Sequence, residues 1–379
     1  MHVIVNGWFW DRPETGSGQY VQRLTEGLQA IDPEIELTVA LPLRQRDGVK
    51  ETSSNSRLQL LGCLTSRTNL GKLHWEQLLM PRLARQLGAD LLHTPYWAAP
   101  LTSPVPDVVT VHDIIPLILP AYRGGPLVRL YTALVRATTS RVTMILTDSE
   151  ASRADILQHL TVPSDRVHVV PLAVGDEYND QPEKEDGEIR TELRLPRDYV
   201  LYLGGFDVRK NLRGALESFA IVRRACPDAT LVVAGRLPES DTEFSPDPRR
   251  LARESNIPEE AILYLGFVSE RQKRTLYREA RVFLCPSIYE GFGYTALEAI
   301  SCGTPVVGSN TTSLPEVVGD AGVLLPPHDV EGIAGALIQL LTDDVFHAEL
   351  RASARRQAHR FSWARTARET LSIYRDALL

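Results

Sequence analysis

Short apolar runs alternate with longer stretches of helical period along almost the whole chain. Runs at His2–Asn6, Glu36–Leu41, Asp90–His93, Val108–His112, Met144–Thr147 and Val167–Val170 are dominated by Val, Ile and Leu and read as buried strands. Between them, Gln19–Ile31, Leu73–Leu87, Leu127–Thr139 and Ser149–Leu160 carry apolar residues at helical spacing. Such an alternation builds a parallel sheet, because a parallel neighbour strand is reached only through a crossover. The polar segment Arg44–Arg67 breaks the pattern and reads as a surface loop with one strand at Leu58–Leu61. A Glu/Asp/Pro-rich stretch, Gly175–Arg190, then reads as an exposed linker. Beyond it a second series begins, with strands expected at Tyr199–Gly204, Thr230–Gly235, Ile262–Leu265, Val282–Pro286, Pro305–Gly308 and Gly322–Leu325. The pattern is α/β, with two Rossmann-like parallel-sheet domains at 1–180 and 181–361 and a closing helix at 362–379.

Length agrees with two domains, since 379 residues exceed what one ordinary core organises. A net charge of -7 leaves no overall footprint for nucleic acid. Cys63, Cys226, Cys285 and Cys302 are far apart and lack metal-type spacing, so reduced thiols and no zinc site are expected. The chain enters a strand without the charged start and apolar stretch of a signal peptide. No apolar run approaches the roughly 18 residues of a membrane span, so a cytoplasmic location is expected.

The candidate chemistry lies where strands hand over to helices. Glu290-Gly-Phe-Gly-Tyr-Thr-Ala-Leu-Glu298 follows the expected strand at Val282 and runs into Ala296-Leu-Glu-Ala-Ile, which reads as a helix. Ligands of open α/β sheets bind at the carboxyl ends of strands, and a helix that begins there offers N–H groups and a positive dipole end to an anion such as a diphosphate. Glu290 and Glu298 can accept hydrogen bonds from sugar hydroxyls, a hexose for the first and a ribose for the second. The plainer reading is dipole complementation by Glu298 and a solvated Glu290.

Arg209 and Lys210, just past the Gly204-Gly205 strand end, suit a leaving diphosphate: Arg grips two oxygens in a fork and Lys acts as a point charge. The alternative is a solvated surface pair. His112 ends the strand at Val108, either as a ligand-contacting residue or as a satisfied structural one, and Asp113 either orients its ring or caps the following turn. Glu14-Thr-Gly16-Ser-Gly18 precedes a helix and lets backbone approach a phosphate or sugar. It lacks the third glycine of a dinucleotide fingerprint, and no acidic residue ends the next strand, which argues against a dehydrogenase.

Taken together, the Gly16 loop, His112-Asp, Thr147-Asp-Ser149, Val170-Pro-Leu-Ala-Val, Arg209-Lys-Asn, and Glu290 to Glu298 followed by Gly303-Thr-Pro-Val-Val resemble, in order and over nearly the whole chain, the signature of the retaining glycosyltransferases of family 4 with the GT-B fold. The forms Val-His-Asp-Ile-Ile-Pro and Arg-Lys-Asn look most like bacterial mannosyltransferases of polysaccharide assembly. The resemblance implies two domains facing a cleft, the first on the acceptor side and the second binding the donor, with helix 362–379 packing back on the first. It implies that His112 touches the transferred sugar, that Arg209 and Lys210 meet phosphate, and that Glu290 orients the hexose. Gly16, Gly18, Gly205, Gly291, Phe292, Gly293, Tyr294, Thr295 and Glu298 would line the donor. Gly205 stands where many members carry an arginine, so Arg209 is expected to substitute.

The implied donor is GDP-mannose, with UDP-glucose second, and the implied acceptor is a saccharide or lipid-linked saccharide, which the Arg44–Arg67 loop would help to bind. No Asp-x-Asp occurs, so no metal or other cofactor is expected and cations with helix dipoles carry the charge. No carboxylate is evident as a nucleophile for a two-step route, which favours a front-face mechanism. The stretch 122–141 carries Arg123, Arg129, Arg136 and Arg141 among apolar residues without Asp or Glu, and reads either as a basic face for an anionic membrane or as a packed helix with a solvated face. A GT-B nucleotide-sugar epimerase or phosphorylase shares the architecture but explains the motif order less well. An inactive binding subunit would be expected to lose one of His112, Lys210, Glu290 or Glu298, and all are present.

Overall fold

The computed structural model describes residues 1–12, 15–43, 57–97 and 99–379. Glu14 and residues 44–56 of the Arg44–Arg67 segment lie outside these. Contacts divide the chain into two compact units, one formed by Met1–Leu172 with Ser362–Leu379 and the other by Ala173–Phe361.

Unit 1 holds a seven-stranded, all-parallel sheet. Its strands are β1 (His2–Asn6), β2 (Glu36–Leu43), β3 (Leu58–Leu64), β4 (Leu91–Thr94), β5 (Asp107–Thr110), β6 (Met144–Thr147) and β7 (Val167–Val169), in the order β3-β2-β1-β4-β5-β6-β7. β4 and β5 are buried along their whole length, as strands covered on both faces by helices must be. One side of the sheet packs Ile4, Trp8, Trp75, Met80 and Leu92 together, and another cluster joins Val109, Val111, Ile145 and Ile156. The helix expected at Leu73–Leu87 begins at Asn69 and contains a π-helical turn, Trp75–Leu79. That turn buries Trp75, whose Nε1 donates to Asn6 Oδ1 at 2.8 Å.

The closing helix Trp363–Asp376 is capped by Ser362, whose side chain accepts from Arg365 N, and packs on the helix Gly16–Ile31. Gly27 permits that approach, because a Cβ there would lie 3.0 Å from Ala367 Cβ and 3.3 Å from the Trp363 carbonyl oxygen. Thr366 Oγ1 donates to the Pro171 carbonyl at 2.7 Å, and Tyr374 is fully buried. Burial of a side chain of that size stabilises by about 2–3 kcal/mol.

Unit 2 holds a six-stranded parallel sheet: β8 (Val200–Leu203), β9 (Leu231–Ala234), β10 (Ile262–Gly266), β11 (Val282–Cys285), β12 (Val306–Ser309) and β13 (Gly322–Leu325), ordered β10-β9-β8-β11-β12-β13. Its core runs through Val200, Tyr202, Phe219, Val233, Leu284, Val307 and Leu337. In both sheets the order reverses direction beside the first strand, between β1 and β4 and between β8 and β11. These reversals are the positions at which doubly wound folds hold ligands.

The expected linker Gly175–Arg190 is largely structured. Tyr178 is buried and its hydroxyl donates to Glu270 Oε2 at 2.5 Å, and residues Asp186–Glu192 form a helix. Asp186, buried, accepts from Arg278 at 2.7 and 3.0 Å and from Thr275 Oγ1 at 2.7 Å. The acidic composition of the stretch hid this, because its partners lie about ninety positions further on.

Candidate functional site

The loops that follow β8 and β11 meet at the reversal point of the second sheet. After β8 the chain turns through Gly204 and Gly205 into a short 3-10 turn, Val208–Lys210, and then into the helix Leu212–Ala225. Asn211 makes the junction in a left-handed conformation (φ 53°, ψ 44°). Its Oδ1 accepts from Gly214 N at 3.3 Å, while Nδ2 donates to the carbonyls of Pro286 at 3.0 Å and Pro327 at 2.6 Å. Asn tolerates this region better than most residues and brings the side-chain amide that ties three segments together.

This junction brings Arg209 and Lys210 to Glu290. Lys210 Nζ donates to Glu290 Oε1 at 2.6 Å and an Arg209 NH donates to Oε2 at 2.9 Å. Ser287 Oγ donates to Oε1 at 2.7 Å, and Arg209 Nε also pairs with Asp207 at 3.2 Å. The Glu290 backbone is held too, its N–H donating to Thr312 Oγ1 at 3.1 Å and its carbonyl accepting from Ser313 Oγ at 2.9 Å. Burial alone would raise the Glu290 pKa, but Lys210, Arg209 and the Ser287 hydroxyl outweigh it and hold the carboxyl below the usual range.

Gly293, at φ 94°, opens the helix Tyr294–Ser301, whose first turn carries Tyr294 and Thr295 at the positive dipole end. Gly291 lies in the loop before it. Phe292 is buried and meets the edge of Phe361, with ring centroids 6.0 Å apart. Glu298 bonds elsewhere, its Oε1 accepting from Lys273 Nζ at 2.7 Å and its Oε2 from Tyr277 OH at 2.9 Å. Burial raises its pKa despite Lys273. Lys273 also pairs with Glu270 at 3.0 Å and lies over the Tyr178 ring. Gly205 leaves its carbonyl to accept from Tyr202 OH at 3.1 Å.

In unit 1, Gly16 begins its helix behind the cap Thr15, whose side chain accepts from Gly18 N at 3.2 Å. Among the described residues, a Cβ on Gly16 would meet nothing within 4 Å, whereas one on Gly18 would lie 2.0 Å from the Arg12 carbonyl oxygen. The close backbone approach at Gly18 is therefore made by the chain's own turn. His112, just beyond β5, has Nδ1 2.8 Å from Asp148 Oδ2. Asp113 serves the following turn, accepting from Ile115 N at 3.0 Å. Burial opposes a charge on His112, but Asp148, Asp113 and the Pro95 carbonyl outweigh it and raise the ring's pKa.

Sequence reasoning thus passed over Ser287, Thr312, Ser313 and Lys273. Of these, only Ser287, on the same loop as Glu290, carried a local signal.

The two parallel-sheet units are those of a glycosyltransferase with the GT-B fold, as the similar proteins show. The profile "Glycosyltransferase Family 4" matches residues 15–178 and "Glycosyl transferases group 1" matches residues 185–361. The O-antigen chain mannosyltransferase B of Escherichia coli is 36% identical over 273 residues, covering 71% of this chain and 70% of the relative. The MMP alpha-(1->4)-mannosyltransferase of Mycolicibacterium hassiacum is 30% identical over 300 residues, covering 77% and 69%. Among solved structures, the glycosyltransferase WaaG of lipopolysaccharide biosynthesis aligns with a TM-score of 0.72 at 19% identity over 99% of both chains. Sucrose-phosphate synthase from Thermosynechococcus elongatus aligns with a TM-score of 0.76 at 20% identity, over 99% of this chain and 98% of that one. The chain belongs to the family 4 glycosyltransferases.

Proposed function

We propose that this glycosyltransferase moves mannose from GDP-mannose to a saccharide or lipid-linked saccharide, with retention of anomeric configuration and without a metal. The observation that carries the reading is the joint placement of Arg209, Lys210 and Glu290 at the reversal point of the second sheet. Two fixed cations beside a helix start suit the charge that grows on a departing diphosphate. In this reading Glu290 binds hexose hydroxyls and Glu298 accepts from the ribose.

In this front-face scheme the bond from the anomeric carbon to the diphosphate oxygen breaks with its electrons on that oxygen. The oxygen takes the proton of the acceptor hydroxyl as the new glycosidic bond forms on the same face. Arg209, Lys210 and the helix at Tyr294 and Thr295 hold the negative charge. The mannosyltransferase relatives favour GDP-mannose. UDP-glucose stands second, because an Anabaena structural neighbour, HepE, was solved in complex with UDP and glucose.

A lipid-linked acceptor has a further support. The helix Pro126–Thr139 exposes Val128 and Leu130 beside Arg129, with Arg136 also outward. An apolar and basic face of that kind binds anionic lipid surfaces. Among the described residues, no helix is long and apolar enough to cross a membrane.

Incubation with GDP-mannose or UDP-glucose and a panel of saccharide acceptors, with and without chelator, tests the reading. Transfer from GDP-mannose, undiminished by chelator and giving an α-linked product, is expected. Transfer from UDP-glucose alone overturns the mannosyl assignment, and chelator-sensitive transfer overturns metal independence. Sedimentation with phosphatidylglycerol vesicles tests the lipid surface, and an unbound protein overturns it.

A further inference from the structure

Beneath His112 lies a buried polar assembly that the reaction scheme leaves unused. Asp148 is buried, follows β6 directly, and places Oδ2 2.8 Å from His112 Nδ1. Asp148 is not the cap of the next helix, since Ser149 accepts from Ser152 N at 3.0 Å in that role. The other side of the imidazole is braced by Tyr20, whose ring meets it edge-on at 4.8 Å between centroids. Tyr20 OH in turn contacts Thr110 Oγ1 at 3.0 Å, Thr110 contacts His93 Nε2 at 2.9 Å, and His93 Nδ1 contacts Tyr374 OH at 2.6 Å. Ser152 Oγ donates to the His112 carbonyl at 3.2 Å, fixing the backbone as well. His112 Nε2, by contrast, is buried and has no hydrogen-bond partner among the described residues, and the Pro95 carbonyl helps to favour a charged ring.

A carboxylate on one imidazole nitrogen decides which nitrogen is left for other work, because Nδ1 must carry a proton to donate to it. We propose that Asp148 is a positioning residue for glycosyl transfer: it holds the proton on His112 Nδ1, locks the ring against Tyr20, and leaves Nε2 as the nitrogen that meets the transferred sugar. This inference rests on the reading of His112 as part of the site. Among the described residues, the ionisable groups that act on the ring are Asp148, Asp113 and His93, and His93 is neutral because burial lowers its pKa to about 3. Asp148 therefore supplies the charge bonded directly to the ring. With the ring charged, Nε2 carries a proton and donates to a sugar hydroxyl. With it neutral, Nε2 accepts.

Asp148→Asn keeps the volume and removes the charge. The full chain is assayed for transfer, and the pH midpoint of the His112 ring signal is read by NMR, the signal being identified by its absence in His112→Gln. A fall in kcat of about tenfold or more, donor KM little changed, a lowered midpoint and recovery in Asp148→Glu are expected. Should Asp148→Asn not fold, Asp148→Ser carries the same readouts. A folded variant with wild-type kcat and an unmoved midpoint overturns the proposal. If His112→Gln itself transfers at the wild-type rate, the placement of His112 in the site falls and the role of Asp148 in transfer falls with it. A midpoint shift in Asp148→Asn then shows the pair to be structural only.

Discussion

The Glu290 carboxylate and the Lys210 ammonium stand 2.6 Å apart, and the other oxygen of the same carboxylate takes Arg209. The group proposed to orient the hexose thus also balances the cations proposed to receive the phosphate. One substitution must therefore disturb both binding and stability.

Glu290→Gln keeps the shape and loses the charge. Transfer is expected to fall by about 100-fold or more. The folded state is expected to lose about 2 kcal/mol, less than for a wholly buried pair because both cations retain some water. Because the folded Glu290 pKa is depressed, its contribution is complete above the ordinary Glu range and disappears as pH falls through the folded value. Melting curves of wild type and variant should therefore converge in acid, and a constant gap down to low pH would refute the coupling.

Lys273→Met leaves Glu298 buried without its cation. The Glu298 pKa, already raised by burial, should rise further. A group with a raised carboxyl pKa stabilises the fold at low pH and loses that contribution as pH rises through the folded value. Stability of this variant should thus decline with rising pH more steeply than wild type. Its affinity for GDP or UDP, read by calorimetry at neutral pH, should fall about tenfold, or about 1.4 kcal/mol. Unchanged affinity would remove Glu298 from the ribose.

Tyr374→Phe strips the hydroxyl that meets His93 Nδ1. A buried nitrogen left unpaired costs about 1–3 kcal/mol, seen as a lowered melting temperature. His93, with its pKa lowered to about 3, favours the folded state above the ordinary His range and progressively less as pH falls towards about 3. His93→Gln should flatten that part of the stability profile, and an unaltered profile would show that His93 does not control it.

Asn211 separates backbone strain from hydrogen bonding. Asn211→Ala loses both the left-handed tolerance and the side-chain bonds, and about 2 kcal/mol or more is expected. Asn211→Gly relieves the φ of 53° but not the loss of the bonds to Pro286 and Pro327, so it should recover only part. Equal denaturant midpoints for Asn211→Gly and wild type would show that the carbonyl contacts contribute nothing.

Strand positions were legible because apolar runs buried on both faces have no competing reading: β1, β6 and β13 fall on the expected residues, and most other strands differ by a residue or two. The helix at Asn69 and its π turn were less so, since the insertion serves the Trp75–Asn6 contact across the sheet rather than any local preference. In the site, Glu290, Arg209 and Lys210 were visible as motifs, but their mutual contact was not. Asp148 belongs to the motif Thr147-Asp-Ser149, yet sequence alone offers Asp113, the chain neighbour of His112, for the orienting role. Partners across a parallel sheet are separated by a whole crossover, and no local pattern records which strand end faces which.

The return of helix Trp363–Asp376 to the first unit sets an order of assembly. All strands of the seven-stranded sheet leave the ribosome before any residue of unit 2, yet Thr366 and Tyr374, which close its core, emerge only after unit 2 has been made. The unit that is synthesised first is completed last. Until then the surface of the Gly16–Ile31 helix that receives Ala367 and the His93 nitrogen that receives Tyr374 wait uncovered, and a nascent chain stalled before residue 363 should be held by chaperones through that apolar face.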